Sequence, residues 1–561
     1  MSILLGVLAG LGAILFHSLL EEMRCLFEPQ YFSGTFPLPS YFIVAVPVVG
    51  AVICATMTRL FPVVARERGV ISVIRSIIIN KGFIPLRVAL FHLIAPIVCI
   101  GSGAPLGPEG PAAKVGSGMG SLMSQAFRLN RKDMMMYTAA GGGAAIAAVF
   151  NAPIAGVFFG IEVLLLNDLK NRALSALIIS CVVADILSRS ILGSKQIFSI
   201  PEYSLQTAGN FHFYLLLGVL CGLLSLVYFR IDRSMGRLIN ERLHITNEYM
   251  KLVPVALIFG LILLKYYQLF GIGYSTINEV LNNRISPNDI FMLLVLKILF
   301  LALYLNAGGY GGTFAPSLSI GAFFGYIFSV SMNLLFGTAL DPIAFSLAGM
   351  GGVLAGINSI PLTAIMLVFE VTSDYRFILP LMLVSIISYL VIIYFNRGSV
   401  YTNSLKESGI DVSKRGEVDL LGKIRVQELM KTEYDLVNHH MPFRKLLDFI
   451  RDAKHGDMFV VDDNIRLVGM ISLKHVRQAL LDRDLIDLMI ARDLAIPVPT
   501  ISGKDPVSQA LKKIEMYDIE TIPVTSGGDM NIIGVLTHQD IIQAYNRLLN
   551  EWETDQFIVN Y

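Results

Sequence analysis

The sequence predicts an all-helical, polytopic membrane domain followed by a small α/β tail. Three observations predict it: a sharp division of charge along the chain, apolar runs of membrane length that recur through the first 400 residues, and internal repeats in both parts. The chain has 561 residues, of which 54% are apolar and 16% charged, with a formal net charge of +1. Residues 401–561 hold 44 of the Asp, Glu, Lys and Arg residues, about 27% of that stretch, and residues 1–400 hold only 43, about 11%. Soluble domains are about one quarter charged, so the tail reads as soluble and the rest as membrane-embedded. The expected divisions are a membrane domain over 1–400, a linker over 401–423, two α/β units over 424–481 and 489–548, and a C-terminal stretch over 549–561. The near-zero net charge gives no support for a nucleic-acid partner.

Apolar runs of spanning length fall at about 3–20, 41–62, 88–104, 173–194, 211–230, 252–271, 290–306 and 376–395. The first lacks a positive n-region and is followed by the charged "HSLLEEMR", so it reads as a retained helix and not a removed signal peptide. Regions 138–166 and 314–370 are apolar but rich in Gly, Ala and Pro. Small residues let membrane helices approach closely, and broken helices are tolerated in a bilayer only where protein or water satisfies the freed backbone groups. The five cysteines lie in apolar segments without metal-ligand spacing and read as buried thiols.

The membrane part repeats. "GPEGPAAKVGSGMG" (107–120) and "GTFAPSLSIGAFFG" (312–325) each place Gly four residues before a Pro and again five and nine residues after it. Gly143, Pro153 and Glu162 recur with the same spacing as Gly351, Pro361 and Glu370. Repeated halves with interrupted apolar segments point to a transporter or channel whose site lies where the halves meet. Spacing leaves open whether the halves are parallel or inverted. In the tail, "FVVDDNIRLVGMISLKHVRQAL" (459–480) matches "IPVTSGGDMNIIGVLTHQDIIQAY" (522–545). Each is a strand, turn, strand and helix, preceded by a helical pattern, "PFRKLLDFIRDAK" or "DPVSQALKKIEMYD".

Glycine before and proline within the first helical turn suit a helix that starts inside the bilayer. Such a start aims unsatisfied N–H groups and a partial positive charge at one spot, which attracts anions. "GPEGP" and "GTFAP", one from each half, both read this way. Two such starts facing each other would hold an anion without a full positive charge and still release it. Glu109 sits at the first of them, a tethered anion that occupies the site when charged and leaves it when protonated or displaced. A helix-capping carboxylate is the structural alternative for Glu109. Glu162 and Glu370 read as acids bonding to backbone in re-entrant turns. Lys114 is expected to snorkel or to pair with an acid, and His439–His440 reads as a solvated pair without a ligand set.

These residues resemble the CLC chloride channels and chloride/proton exchangers, and the tail resembles their paired CBS domains. "GPEGP" (107–111) is similar to the family's G(K/R)EGP motif, which makes Glu109 the gate. "GTFAP" is similar to GxFxP, which makes Phe314 the pore-lining aromatic. "FNAPIAG" (150–156) and "PLTAIMLVFEVT" (361–372) resemble its helix-hairpin signatures, and Tyr401 falls where the family keeps an anion-touching hydroxyl. The resemblance implies two inverted repeats, a homodimer, and a separate pore in each subunit. Anions would be held around Gly107, Pro108, Gly110 and Pro111, around Gly312, Thr313 and Phe314, and by the Tyr401 hydroxyl.

The chain departs from the family in four places. "GSGAP" (101–105) looks like the family's serine motif GSGIP but abuts the gating segment. The right spacing lands on "RERGVIS" (66–72), near Arg68 and Gly69, where no such serine stands. Pro108 replaces a basic residue. Val163 occupies the position of the exchangers' second, proton-carrying glutamate, with Glu162 next door. The chain also begins almost at its first membrane helix, leaving little room for an N-terminal cytoplasmic helix. A passive, Glu109-gated chloride channel is therefore the first expectation. An anion/proton exchanger is the alternative, and a non-conducting nucleotide-sensing scaffold a third. No nucleophile–base set or metal cluster suggests an enzyme, and no metal site is expected.

CBS pairs hold adenine nucleotide through an Asp three residues after a Ser or Thr. Thr537 and Asp540 fit that pattern; Ser472 is followed by His475 instead of an acid. The resemblance thus implies no required cofactor, with ATP, ADP or AMP at the tail, or else a plain dimerisation module. The expected partners are chloride and other small anions, protons, membrane lipid and a second copy of the chain. The expected setting is a cell (inner) membrane with the tail in the cytoplasm.

Overall fold

A computed structural model of the chain describes residues 1–27, 41–167, 171–193, 197–204, 211–242, 245, 247–396, 399, 401–402, 405, 421–422, 424–452, 457–480, 488–517, 519–526 and 531–547. The chain divides into two compact units, Met1–Ile410 and Asp411–Tyr561.

The first unit is helical. Its first half holds α1 (Ser2–Phe27), α2 (Tyr41–Leu60), α3 (Gly69–Ile78), α4 (Leu86–Gly101), α5 (Glu109–Ala126), α6 (Arg131–Phe150), α7 (Pro153–Phe159) and α8 (Asn171–Leu192). Its second half holds α9 (Phe211–Arg237), α10 (Glu248–Leu263), α11 (Tyr274–Leu281), α12 (Pro287–Ala307), α13 (Phe314–Phe336), α14 (Pro342–Asn358), α15 (Pro361–Thr372) and α16 (Ile378–Asn396). Among the described residues, seven helical segments are long and apolar enough to cross a membrane. The expected apolar runs became α1, α2, α4, α8, α9, α10, α12 and α16. The Gly/Pro-rich regions became the shorter, broken helices between them. The short α3 and α11 escaped the sequence reading because neither approaches the length of a spanning run.

The two halves repeat element by element, and their contacts are reciprocal. Gly116 of α5 crosses Gly141 of α6 so closely that a Cβ on either would overlap the other's carbonyl oxygen; Gly321 and Gly349 make the same crossing between α13 and α14. Only glycine permits that backbone approach. Glu162 lies on the π-helical turn Gly160–Leu164 that follows α7. It accepts the N–H groups of Leu362 (2.9 Å) and Thr363 (2.8 Å) and the Thr363 hydroxyl (2.6 Å) at the start of α15. Glu370 of α15 accepts the N–H groups of Ile154 (3.0 Å) and Ala155 (2.8 Å) at the start of α7. Each half therefore caps the other's proline-initiated helix, the pattern of an internal two-fold axis. Gly107 and Gly312 form an isolated antiparallel bridge, exchanging N–H···O bonds of 2.8 and 2.7 Å. The chain runs in opposite directions through this bridge, as at an internal two-fold axis.

The second unit contains two three-stranded sheets of one topology. In the first, β1 (Leu436–Asn438) pairs parallel with β2 (Asp457–Val461), which pairs antiparallel with β3 (Leu467–Ser472). In the second, β4 (Ile501–Ser502), β5 (Thr521–Thr525) and β6 (Ile532–Thr537) repeat that order. Helices α17 (Phe443–Asp452) and α19 (Val507–Tyr517) make the crossovers that a parallel pair requires, and α18 (Leu473–Ala479) follows β3. The two copies share an apolar seam formed by Phe459, Val461, Met470, Ile532 and Val535.

Candidate functional site

Four helix starts converge in the first unit. The Gly107–Gly312 bridge sets the starts of α5 and α13 against each other. Around Gly110, a Cβ would lie 3.6 Å from Val70, 3.8 Å from the Gly312 Cα and 3.9 Å from the Gly69 Cα, so the start of α3 joins them. The start of α11 reaches in through Tyr274, whose hydroxyl donates to Glu109 Oε1 at 3.3 Å. Every residue of Gly107–Ala113 is buried.

Glu109 is 1% exposed. Its Oε2 lies where a Cβ on Gly107 would be, and 3.7 Å from where one on Gly312 would be. The N–H groups of Ala315 and of Glu109 itself act on the carboxylate. Among the described residues, Oε2 has no partner in full hydrogen-bond geometry. The acid thus sits between the two proline-marked helix starts. Pro108 is the residue before α5, and Pro111 lies in its first turn.

Phe314, 4% exposed, packs edge-on or tilted against Phe150 (5.4 Å between ring centres) and Phe159 (6.3 Å). Thr313 donates its hydroxyl to Asn358 Oδ1 (2.6 Å). Tyr401, 8% exposed, lies within Coulombic reach of both Glu162 and Glu109. Val163 is fully buried, and the Glu162 carboxylate beside it is engaged by α15.

Ser102 of "GSGAP" donates to the Cys99 carbonyl of its own helix (3.0 Å) and packs on Gly50. It faces α2, whereas "RERGVIS" meets Gly110. Lys114 does not snorkel. It is 1% exposed and donates to the Glu67 carbonyl and to Ser72 Oγ (2.6 Å), with the Glu67 carboxylate at 4.0 Å. Arg68 stacks on Tyr310, 4.6 Å from the ring centre, and reaches its hydroxyl at 3.3 Å. It also lies 4.0 Å from Glu248. Arg68 lines both a cavity of about 630 Å³, with Arg59 and Arg66, and a small one beside Gly110. Two cations, Arg68 and Lys114, thus border the small cavity beside Gly110. Sequence reasoning missed Tyr274 as a partner of Glu109. The signal was present, because Tyr274 lies 205 residues after Gly69, the same offset that separates Pro111 from Pro316.

In the second unit, Thr537 donates to Asp540 Oδ2 (2.7 Å) and Lys431 pairs with Oδ1 (2.7 Å). Burial pushes the Asp540 carboxyl up, but the bonds from Lys431 and Thr537 outweigh it and hold the group below the ordinary carboxylate range. Ser472 ends β3 at the place equivalent to Thr537; the side chain of His475 lies outside the described residues. His439 and His440 are joined by Asp463, with ligand atoms within 4.8 Å of one another, so the pair has an acid that the sequence reading did not give it.

Inverted sets of broken helices around a buried carboxylate, flanked by spanning helices, define an integral, multi-pass membrane transport protein. The profile described as "Voltage gated chloride channel" matches residues 49–392, and that of the CBS domain matches at 426–482 and 487–547. The chain belongs to the voltage-gated chloride channel (CLC) family and carries two CBS domains. It is 28% identical over 492 residues to chloride channel protein CLC-f of Arabidopsis thaliana, covering 78% of this chain and 62% of that one. It is 33% identical over 293 residues to the H(+)/Cl(-) exchange transporter ClcA of Vibrio campbellii, covering 51% and 62%. The chain thus spans about three fifths of the length of these relatives. A crystal structure of a eukaryotic CLC transporter superposes with a TM-score of 0.64 at 21% identity, covering 96% of this chain and 97% of that one, which shows the shared fold.

Proposed function

We propose that the chain conducts chloride and similar small anions across the membrane, with Glu109 as the gate, and that it does so as a channel. The observation that carries this reading is the position of the Glu109 carboxylate between the α5 and α13 starts, against Gly107 and Gly312. An anion accepts the same N–H groups and the same dipoles, so it competes with the carboxylate for one place. Tyr274 holds the carboxylate there, Phe314 would form an apolar wall, and Tyr401, within Coulombic reach of Glu109, would offer its hydroxyl to the anion. The channel reading rests on Val163, which cannot carry a proton, and on the engagement of Glu162 by α15. The exchanger reading is favoured by the exchange activity in the name of the Vibrio relative. Two copies would form a dimer, each with its own pathway. The CBS tail, placed in the cytoplasm of a cell-membrane protein, would take adenine nucleotide at Thr537 and Asp540.

The test is reconstitution in liposomes with a chloride gradient. Chloride efflux is expected, at a reversal potential that ignores an imposed proton gradient. A reversal potential that follows the proton gradient establishes the exchanger; no efflux at all refutes transport. Adding ATP to the tail side is expected to change the rate, and Asp540→Ala to remove that change.

A further inference from the structure

The first CBS copy gathers two histidines and an acid at one end of its sheet. His439 and His440 form the turn that follows β1. Successive side chains point apart along a strand, but in this turn they do not, and the two rings stand 3.8 Å apart between centres. Asp463 comes from the turn between β2 and β3. One ring nitrogen of each histidine and one Asp463 oxygen lie within 4.8 Å of one another.

Backbone and side-chain bonds hold all three in place. The His439 N–H donates to the Val461 carbonyl (2.9 Å), and the His439 carbonyl accepts from the Arg492 N–H (3.1 Å). Asp462 accepts the N–H groups of Asn464 (2.9 Å) and Arg466 (2.8 Å), which fixes the turn carrying Asp463. Asn438 joins the two turns: its Oδ1 accepts the His440 N–H (2.9 Å) and its Nδ2 donates to Asp463 Oδ1 (3.1 Å). The other oxygen, Oδ2, is thereby aimed at His439 and lies 3.8 Å from its Nε2, too far for a hydrogen bond. That Nε2 is buried and has no hydrogen-bond partner among the described residues. Buried polar atoms are rarely left so.

The turn itself does not require histidine. Val460 and Val524 each pair with a glycine on the next strand, and with Val437 and Ile501 on the previous one. This register sets Gly503 and Lys504 of the second copy at the positions of His439 and His440. There Ser502 Oγ accepts the Lys504 N–H at 3.4 Å, as Asn438 accepts that of His440. The same turn thus closes without either ring.

We propose that His439, His440 and Asp463 bind one divalent d-block ion, of which zinc is the type. Zinc bonds imidazole nitrogen and carboxylate oxygen at about 2.0–2.2 Å, so two ligand atoms on one ion stand up to about 4.2 Å apart. His439 Nε2 and Asp463 Oδ2, at 3.8 Å, already meet that limit. The exposed His440 ring completes the set by turning inward by about 1 Å, and water takes the fourth position. Asn438 is the positioning residue that orients the carboxylate. Two imidazoles select zinc over magnesium or calcium, which take oxygen ligands. The ion ties the turn after β1 to the β2–β3 turn and gives the first copy a staple that the second lacks. The site stands apart from transport by the first unit and holds whether or not that unit conducts.

The experiment titrates zinc into untagged full-length protein in detergent, followed by calorimetry. One tight zinc per chain is expected. The chain has nine histidines, so the variants decide. His439→Gly with His440→Lys, which copies the turn of the second repeat and should fold as it does, is expected to weaken zinc binding at least tenfold; a smaller loss overturns the proposal. Asn438→Ala should weaken it about tenfold through the misplaced carboxylate. X-ray absorption of the zinc-loaded wild type supplies the second reading: two imidazoles in the zinc shell support the site, and one or none overturns it. Displacement of the zinc by a hundredfold excess of calcium also overturns it.

Discussion

Replacing Glu162 by Ala tests whether the reciprocal caps hold the two halves together. The carboxylate accepts three hydrogen bonds, at 2.9, 2.8 and 2.6 Å, from the first turn of α15. Its counterpart Glu370 accepts two, at 3.0 and 2.8 Å, from the first turn of α7. Hydrogen bonds to a charged group contribute about 1.5–3 kcal/mol each, and bonds to one carboxylate do not add fully. Truncating Glu162 should therefore cost about 3 kcal/mol and truncating Glu370 about 2 kcal/mol. Gln at either position keeps an acceptor without the charge and should recover roughly half of each loss. Thermal unfolding of purified protein in lipid nanodiscs reads the order directly: wild type, then the Gln variants, then Glu370→Ala, then Glu162→Ala. Unfolding of Glu162→Ala at the wild-type temperature would refute the capping argument. If that variant also changed the ratio of protons to chloride moved, Glu162 would be a proton relay.

Three further outcomes are expected. Glu109→Gln should remove most of the pH dependence of anion flux, read as liposome efflux at two pH values; unchanged dependence defeats the gate. Gly116→Leu and Gly321→Leu should each prevent the close helix crossing and lower the yield of folded protein, because the clash is with backbone carbonyls that cannot yield; normal yield in either would show that the crossing is not needed. Asp540 is held below its unfolded value, so its contribution is present above the ordinary carboxylate pKa and is lost as pH falls through the folded one. Lys431 is largely exposed, so Asp540→Asn should cost under about 1 kcal/mol near neutrality, and wild type and variant should converge in acid; a constant gap in urea unfolding of the tail across that range contradicts the assignment.

The spanning helices, the repeats and the proline-marked starts were legible because each follows from a local rule. Apolar length sets a span, and glycine and proline set a break. Spacing marked Gly107 and Gly312 as equivalent through the matched offset of 205, and the structure brings the two together. What spacing could not supply was contact between elements that no motif marks. Tyr274 begins an eight-residue helix too short to register as a membrane run, yet it is the hydroxyl that holds Glu109. Lys114 was expected at a water boundary or beside an acid. The acid is there, the Glu67 carboxylate at 4.0 Å, but Ser72 and the Glu67 carbonyl, both more than forty residues away in sequence, complete its contacts inside. In the tail, the repeated strand–turn–strand–helix units were legible from alternation and turn signals, while the short first strand of each sheet, the matching β-bulges and the acid that joins His439 and His440 were not.

The asymmetry between the halves bears on how an anion site works without trapping its ion. A unit charge 4 Å from an anion attracts it by about 4 kcal/mol at the effective dielectric of a protein near its surface, and by far more in a dry interior. Placed at the Gly107–Gly312 meeting point, such a charge would hold chloride too long for passage. Lys114 and Arg68 stand close to that point, but each is already engaged: Lys114 by a carbonyl, a hydroxyl and Glu67, Arg68 by Tyr310 and Glu248. Their partners cancel much of the field before it reaches the helix starts, which leaves backbone dipoles as the main term there. In the second half a lysine at a different position, Lys297 of α12, is sealed against two carbonyls, and Gly273 stands 205 residues after Arg68. Each side of the meeting point thus buries a lysine, but only the α3 side adds an arginine, Arg68, while Tyr274 reaches Glu109 from the α11 side. A two-fold scaffold gives two equivalent approaches to one site; this distribution makes them chemically different, one beside Arg68, which also lines the larger cavity, the other beside Tyr274 and the Glu109 carboxylate.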